Sequence, residues 1–185
     1  MILLRHGQSE FNLHFTRTRQ DPGIEDPALT DVGHDQAQAA AEALSGETVK
    51  RIIVSPYRRT LQTAAHVARC LQVPVLINPI VRERCAFACD VGSPRTALAE
   101  SWPQWDFSHI DEIWWPSITE SEESIELRAA LFREEMTALD DWADTLVVTH
   151  WGFILSMTGI RVQNGEWLRV DPFAPAPRPI PWRLA

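Results

Sequence analysis

The amino-acid sequence predicts an α/β protein with a three-layer α/β/α architecture and a mostly parallel sheet. Two observations predict it. Short apolar runs alternate with helical segments along the first half of the chain, and another strand–helix pair follows around residues 145–158. Strand, helix and strand at this spacing imply right-handed crossovers and a sheet covered on both faces. We also expect one antiparallel edge strand and a small irregular cap insertion.

The first half of the chain contains three expected strands. Thr30 is a suitable N-cap for an Ala-rich helix, and Ser55-Pro56 ends an apolar strand. The helix after that strand has Leu61, Ala64 and Leu71 at helical spacing. The expected elements are, in order, a strand over 1–4, a polar loop over 14–27, a helix over 31–44, a strand over 51–54, a helix over 58–71 and a strand over 73–77.

The character of the chain changes over residues 79–118, which we interpret as a cap over the sheet edge. This segment holds four of the eight Trp residues and has no clean period. Its aromatic side chains either line a substrate pocket or form the small core of the cap. The sequence alone does not separate these two alternatives.

Regular structure is predicted again after the cap. A capping-box pattern at 119–122 opens an amphipathic helix that we expect to reach about Trp142. A buried strand over 145–149, a helix over 153–158 and an edge strand over 165–170 follow. We therefore expect one domain over residues 1–171. The tail over 172–185 contains five prolines and should form an extended, loosely attached arm.

Charge and cysteine content exclude several classes of protein. The formal net charge of -8 argues against general binding to nucleic acids or membrane surfaces, which are anionic themselves. The three cysteines, an odd number without a signal-peptide pattern, favour a reducing compartment, and we expect a cytoplasmic protein. Cys85 and Cys89 lack a second matching pair, so we expect no zinc site.

Polar residues of related type follow four of the expected strands. Arg5 and His6 follow the first strand, Arg58 and Arg59 the second, the run Arg82-Glu83-Arg84 the third and His150 the fourth. Parallel strands bring their carboxyl ends to one edge of a sheet, where ligands bind. Imidazoles, guanidinium groups and a carboxylic acid at one edge are suited to phosphoryl transfer, as nucleophile, charge clamp and proton donor.

These residues lie in motifs that resemble the histidine phosphatase superfamily, the phosphoglycerate-mutase-like proteins. The motifs occur in the family's order and run from the first residues past Gly152. They are LLRHGQSEFN at the start, LTDVGHDQA from Leu29, SPYRRTLQTA from Ser55, RERCAF from Arg82 and VVTHWGF from Val147.

The resemblance implies a role for each matching residue. His6 becomes phosphorylated, and Glu83 protonates the leaving group as in the mutase-like branch. The acid-phosphatase-like branch instead has an Asp after its second His, where this chain has Trp151. The phosphate-binding residues implied are Arg5, Gln8, Ser9, Asn12, Arg59 and His150. Arg59 is favoured over Arg58, because the family's arginine falls four residues after the serine.

One other motif suggests a different phosphatase chemistry. The run from Cys89 to Arg95 fits Cys-x-x-Gly-x-x-Arg, the phosphate loop of cysteine-dependent tyrosine phosphatases. Asp90 adds a negative charge beside that cysteine, and Pro94 removes an N–H donor. We therefore expect this loop to close over the histidine site instead.

The residues and the resemblance together indicate a phosphomonoester hydrolase that acts on a small phosphorylated metabolite. No cofactor or metal is expected, since arginines and a second histidine supply the positive charge. Two alternatives stay open: a mutase-like phosphotransferase with the same residues, and a non-catalytic phosphate-binding regulator. The oligomeric state and the physiological substrate are not predicted.

Overall fold

The computed structural model describes residues 1–117, 119–180 and 182, and in it a five-stranded sheet lies between two layers of helices. The strands are β1 (Ile2–Arg5), β2 (Arg51–Val54), β3 (Val75–Ile77), β4 (Thr145–Thr149) and β5 (Trp167–Arg169). The helices are α1 (Glu10–Thr18), α2 (Asp31–Leu44), α3 (Arg58–Leu71), α4 (Arg95–Ser101), α5 (Glu122–Thr137) and α6 (Trp151–Thr158).

The sheet has the strand order β3-β2-β4-β1-β5. The first four strands are parallel, and β5 is antiparallel to β1 at the edge. The register places Arg5 beside Thr149, and Val54 beside both Val148 and Ile77. The carboxyl ends of the parallel strands therefore meet at one edge, and the predicted fold class is confirmed.

Strands β1, β2, β4 and β5 contribute to two hydrophobic cores, because successive side chains point to opposite faces of a sheet, whereas Leu76 of β3 is exposed. Leu4 and Val148 pack on one face with α2 and α3, whereas Leu3 and Val147 pack on the other with α5 and α6. Strands buried on both faces are typical of a parallel sheet covered by helices. None of the helices in the described part of the chain is long and apolar enough to cross a membrane.

The expected polar loop over 14–27 is wrong in its first part, since α1 extends to Thr18. Ser9 and Asn12 form a reciprocal capping box at the start of α1, a variant with Asn in place of the usual Glu or Gln. Phe11 and Phe15 stack one turn apart on this helix. The local signals for a helix are therefore present in the sequence, but the polar composition conceals them.

Other parts of the chain also differ from the predictions. The helix predicted to reach Trp142 ends at Thr137, and a separate 3₁₀ turn covers Trp142–Asp144. The third strand begins at Val75 instead of Val73. The cap contains one regular helix, α4, within the segment predicted as irregular, and Ile118 at its end lies outside the described residues.

The tryptophans of the cap contribute to the α2–α3 core. Trp114 is buried and packs edge-on against Tyr57, and the stacked pair Trp102 and Trp105 packs on the same core. This arrangement favours the second alternative left open by the sequence, in which these side chains form a core.

The described part of the proline-rich tail packs on the body of the protein. The Arg133 guanidinium on α5 donates to the carbonyls of Asp171, Pro172 and Ala174, and Phe173 packs edge-on against Trp142. Trp182 donates from its indole nitrogen to Glu126 of α5. The expectation of a loosely attached arm is therefore wrong for this segment, while residues 181 and 183–185 lie outside the described residues.

Candidate active site

A cavity of about 560 Å³ opens at the carboxyl edge of the sheet. Six of the predicted site residues line it: Arg5, His6, Ser9, Asn12, Arg59 and Glu83. His150 is fully buried directly behind, with its ring centroid 5.1 Å from that of His6. Gln8 lies apart from the cavity, because its side-chain oxygen accepts from the Thr30 hydroxyl at 3.0 Å.

His6 is held as a neutral imidazole with a defined tautomer. Its Nδ1 lies 2.7 Å from the Gly7 carbonyl oxygen, which can only accept, so Nδ1 carries the proton and Nε2 keeps its lone pair. Burial holds the pKa of His6 well below its ordinary value, and the charges of Arg59 and Arg5 act in the same direction. The His6 ring is therefore neutral at neutral pH, with the lone pair of Nε2 free of a proton.

The turn that carries His6 depends on two glycines in close contact. A Cβ at Gly7 would lie 2.2 Å from the Gly33 carbonyl oxygen, and one at Gly33 would lie 2.0 Å from the Gln8 carbonyl oxygen. The start of α2 can therefore lie against the chain that follows β1. This contact explains why the Arg-His-Gly motif is paired with a Thr-x-x-Gly motif.

Arg5 and Arg59 are both anchored by backbone carbonyls. Arg5 donates from Nη1 to Val162 O at 2.8 Å, and Arg59 donates from Nη1 to Cys89 O at 2.7 Å. Burial lowers the pKa of Arg5 to about 10, so it remains a cation at neutral pH. The neighbouring Arg58 is exposed, and its side chain is not part of the cavity lining.

Arg59 also forms a buried ion pair that the sequence analysis missed. Its Nη2 lies 3.2 Å from Asp90 Oδ1, and its guanidinium lies 4.3 Å from the centroid of the Tyr57 ring. The other Asp90 oxygen accepts from the backbone N–H groups of Ala86 and Phe87. Asp90 thus connects Arg59 to the loop beside the cavity.

His150 is oriented by the end of the neighbouring strand β2. Its Nε2 lies 2.8 Å from the Ser55 hydroxyl oxygen. Its Nδ1 is buried and has no hydrogen-bond partner among the described residues, and the same holds for Arg5 Nε. Burial holds the pKa of His150 well below its ordinary value, with Arg59 and His6 as the next largest contributions.

Glu83 binds the first turn of α6. Both of its carboxyl oxygens accept from the Gly152 N–H, at 3.0 and 3.1 Å, and Oε1 also accepts from Arg84 N at 2.9 Å. A Cβ at Gly152 would lie 2.2 Å from Glu83 Oε1, so only glycine permits this contact. Burial raises the pKa of Glu83, and the charge of Asp90 adds to the shift.

Ser9 and Asn12 reach the cavity as the cap of α1, and they connect to a residue far away in the chain. Asn164 donates from its amide to Asn12 Oδ1 at 3.2 Å and to His6 O at 3.1 Å. Asn164, Gly152, Asp90 and Tyr57 were not singled out as site residues from the sequence. Of these four residues, only Gly152 has a signal in the sequence, because a glycine close to a site residue indicates that another group approaches the backbone there.

The cysteine motif does not form a reactive thiol site. Cys89 is buried, and burial raises the pKa of its thiol strongly. The Cys89 carbonyl instead accepts from Arg59, as described above. Cys89 and Asp90 line the same cavity as His6, so this loop lies beside the histidine site.

Comparisons with known proteins place the chain in a family. Residues 1–172 match the histidine phosphatase superfamily (branch 1), and the chain belongs to this superfamily. It is 31% identical over 183 aligned positions to a glucosyl-3-phosphoglycerate phosphatase of Mycolicibacterium vanbaalenii, covering 89% of this chain and 76% of the relative. It is 30% identical to a probable phosphoglycerate mutase of Yersinia enterocolitica, covering 81% of this chain and 68% of the relative.

Among solved structures, a mycobacterial glucosyl-3-phosphoglycerate phosphatase in complex with VO3 has a similar fold. The TM-score is 0.64 at 22% identity, covering 90% of this chain and 88% of that chain. The relatives include phosphatases and phosphoglycerate mutases, so the chain is a phosphatase-type member of the superfamily.

Proposed function

We propose that the protein is a phosphomonoester hydrolase that works through a phosphohistidine on His6. The observation that carries the proposal is the tautomer of His6, a buried neutral imidazole with its lone pair on Nε2. It lies in one cavity with two guanidinium groups and a carboxylic acid whose pKa is raised. This set contains a nucleophile, a charge clamp and a proton donor.

In the first step, His6 Nε2 attacks phosphorus and the bond to the leaving oxygen breaks. Glu83 gives its proton to that oxygen, and the alcohol departs. In the second step, water attacks the phosphohistidine, the N–P bond breaks, and the Glu83 carboxylate takes a proton from the water. Inorganic phosphate leaves with His6 and Glu83 restored.

Arg5, Arg59 and His150 stabilise the phosphoryl group in both steps. The two arginines supply fixed positive charge at the inner end of the cavity. His150 contributes as a neutral hydrogen-bond donor. When the Ser55 hydroxyl donates to Nε2, the ring proton is on Nδ1, the buried nitrogen that has no partner among the described residues. Ser9 and Asn12 contribute at the N-terminus of α1, where backbone N–H groups favour an anion.

Hydrolysis is favoured over mutase activity by the mouth of the cavity. A mutase must hold its product and exclude water between two transfers, whereas Phe87 at this mouth is 42% exposed. The mutase names among the relatives keep phosphotransfer as the second candidate. A regulator without activity is disfavoured, because every residue that the mechanism needs is present.

The test is hydrolysis of 4-nitrophenyl phosphate in the presence of EDTA. We expect turnover by the native protein and loss of at least about 10³-fold in kcat with His6→Ala. Cys89→Ser is the matched control and keeps the activity, because the buried thiol has no role in the mechanism. Retained activity in His6→Ala, or loss in Cys89→Ser only, would contradict the proposal.

A further inference from the structure

The mouth of the cavity contains five aromatic side chains that the phosphoryl-transfer mechanism does not use. They are Phe11, Phe15, Phe87, Trp151 and Trp182, and all of them line the same cavity as His6. They come from α1, the loop before Asp90, the start of α6 and the tail. The four cap tryptophans do not belong to this set.

The aromatic rings form two groups at the mouth. Phe11, Phe15 and Phe87 form the first, with ring centroids 5.1 to 5.5 Å apart. Trp151 and Trp182 form the second, with centroids 6.4 Å apart and an edge-to-face angle of 70°. A further flat ring pairs with aromatic side chains in the same offset and edge-to-face geometries.

Phe87 has the strongest indication of a binding role. It is 42% exposed although it lies beside two other phenylalanines, and it is in a loop whose backbone is held by Asp90. A large exposed apolar side chain at the mouth of a polar cavity is typical of a ligand site. Its neighbour Phe11 is buried, so Phe87 packs against a fixed part of the protein.

The cavity is much larger than a phosphoryl group requires, since about 560 Å³ is within the range of sites for whole small molecules. With the phosphoryl group beside His6, the rest of the substrate must lie against the aromatic side chains. Guanidinium groups lie over three of the rings: Arg84 over Trp182 at 5.4 Å, Arg161 over Trp151 at 5.7 Å and Arg19 over Phe15 at 5.9 Å. These contacts help to hold the rings in place, and Arg84 is itself paired with Glu122, which also lines the cavity.

We propose that the mouth binds a flat aromatic ring in the alcohol part of the substrate. The preferred substrate class is then a phosphomonoester of a nucleoside or of a similar ring-bearing alcohol. This inference rests on the proposed function for the phosphoryl end, and it adds the chemistry of the leaving group. Stacking on Phe87 and on the tryptophans supplies affinity that a simple sugar phosphate lacks.

The experiment measures binding separately from turnover. The dissociation constants of adenosine 5′-monophosphate and ribose 5-phosphate are measured by calorimetry on the full chain with His6→Ala. The two ligands share the same primary phosphate and differ in the flat base. We expect adenosine 5′-monophosphate to bind at least about tenfold more tightly, as one stacked base would provide.

Adding Phe87→Ala or Trp182→Ala to this protein should reduce that ratio about five- to tenfold. Phe173→Ala is the matched control, because Phe173 is also an exposed aromatic residue but lies outside the cavity lining. Equal affinities for the two ligands, or an unchanged ratio in both variants, would overturn the inference. Failure of the proposed function would show separately, as absence of 4-nitrophenyl phosphate hydrolysis by the native protein.

Discussion

The inner end of the cavity and its mouth differ in polarity, in burial and in how local their sequence signals are. At the inner end, His6, Arg59 and His150 are buried and held by hydrogen bonds or ion pairs. At the mouth, Phe87 is exposed and the rings are held mainly by one another. Under the proposed function, the inner end carries the chemistry and the mouth carries the choice of substrate.

The two regions meet at Asp90. Its carboxylate pairs with Arg59 on the inner side and accepts from the Phe87 N–H on the outer side. Its charge also contributes to the raised pKa of Glu83. A substitution at the inner end should therefore lower kcat, whereas one at the mouth should change the relative affinities for substrates with and without a flat ring.

The largest effect is expected for Glu83→Gln on alkyl phosphates. An alkoxide needs protonation as it leaves, so kcat for ribose 5-phosphate should fall about 10²- to 10⁴-fold. The kcat for 4-nitrophenyl phosphate should fall less than about tenfold, because 4-nitrophenolate is a good leaving group. Glu42→Gln, an exposed carboxylate on α2, is the control and should change neither rate. Equal losses on the two substrates would exclude a proton-donor role.

Gly152→Ala should act on the same carboxyl group without removing it. The new Cβ displaces Glu83 Oε1, and the flexible carboxylate can move away at little cost in stability. A displacement of this size should lower kcat for ribose 5-phosphate about 10- to 100-fold while Tm changes little. Gly46→Ala is the control, because no heavy atom lies within 4 Å of its added Cβ. An unchanged kcat in Gly152→Ala would show that the Glu83–Gly152 contact is not needed.

Asp90→Asn tests the connection between the two regions. The loss of the Asp90 charge weakens the ion pair that keeps Arg59 in position. It also lowers the pKa of Glu83, because the Asp90 charge contributes to raising that pKa. The acid form of Glu83 should then be lost at lower pH, so the alkaline limb of the kcat profile moves down in pH and kcat/KM falls about tenfold. Asp111→Asn, at an exposed position in the cap, should leave the profile unchanged. A profile that stays in place in Asp90→Asn would contradict this role.

The smallest effect is expected for Gln8→Ala. The Gln8 side chain accepts from the Thr30 hydroxyl and does not line the cavity. We expect kcat/KM to change less than about twofold, and the free energy of unfolding to fall by about 1 kcal/mol for the lost hydrogen bond. A loss of tenfold or more in phosphate affinity would instead place Gln8 in the phosphate site, as the family resemblance implies.

The sequence predicted the inner end of the cavity well because its signals are local. Arg5, His6 and Glu83 each lie within a few residues of a strand end, and strand ends can be found from apolar runs and breakers. The first helix was missed although its cap is also local, since Ser9 and Asn12 form an unusual capping box. The length of α5 was overestimated, because apolar spacing continues past Thr137 into a 3₁₀ turn.

The sequence by itself determined the parallel sheet, the class of chemistry and the residues that follow the strands. Only the tertiary structure decided what surrounds them. It brings Asp90 to Arg59 and the Gly152 N–H to Glu83, and it lines the mouth with phenylalanines and with tryptophans other than those of the cap. The physical reason is the range of the contacts. Periodicity and capping depend on neighbours in the chain, whereas the packing of a tail residue such as Trp182 beside Trp151 depends on how the whole chain is folded.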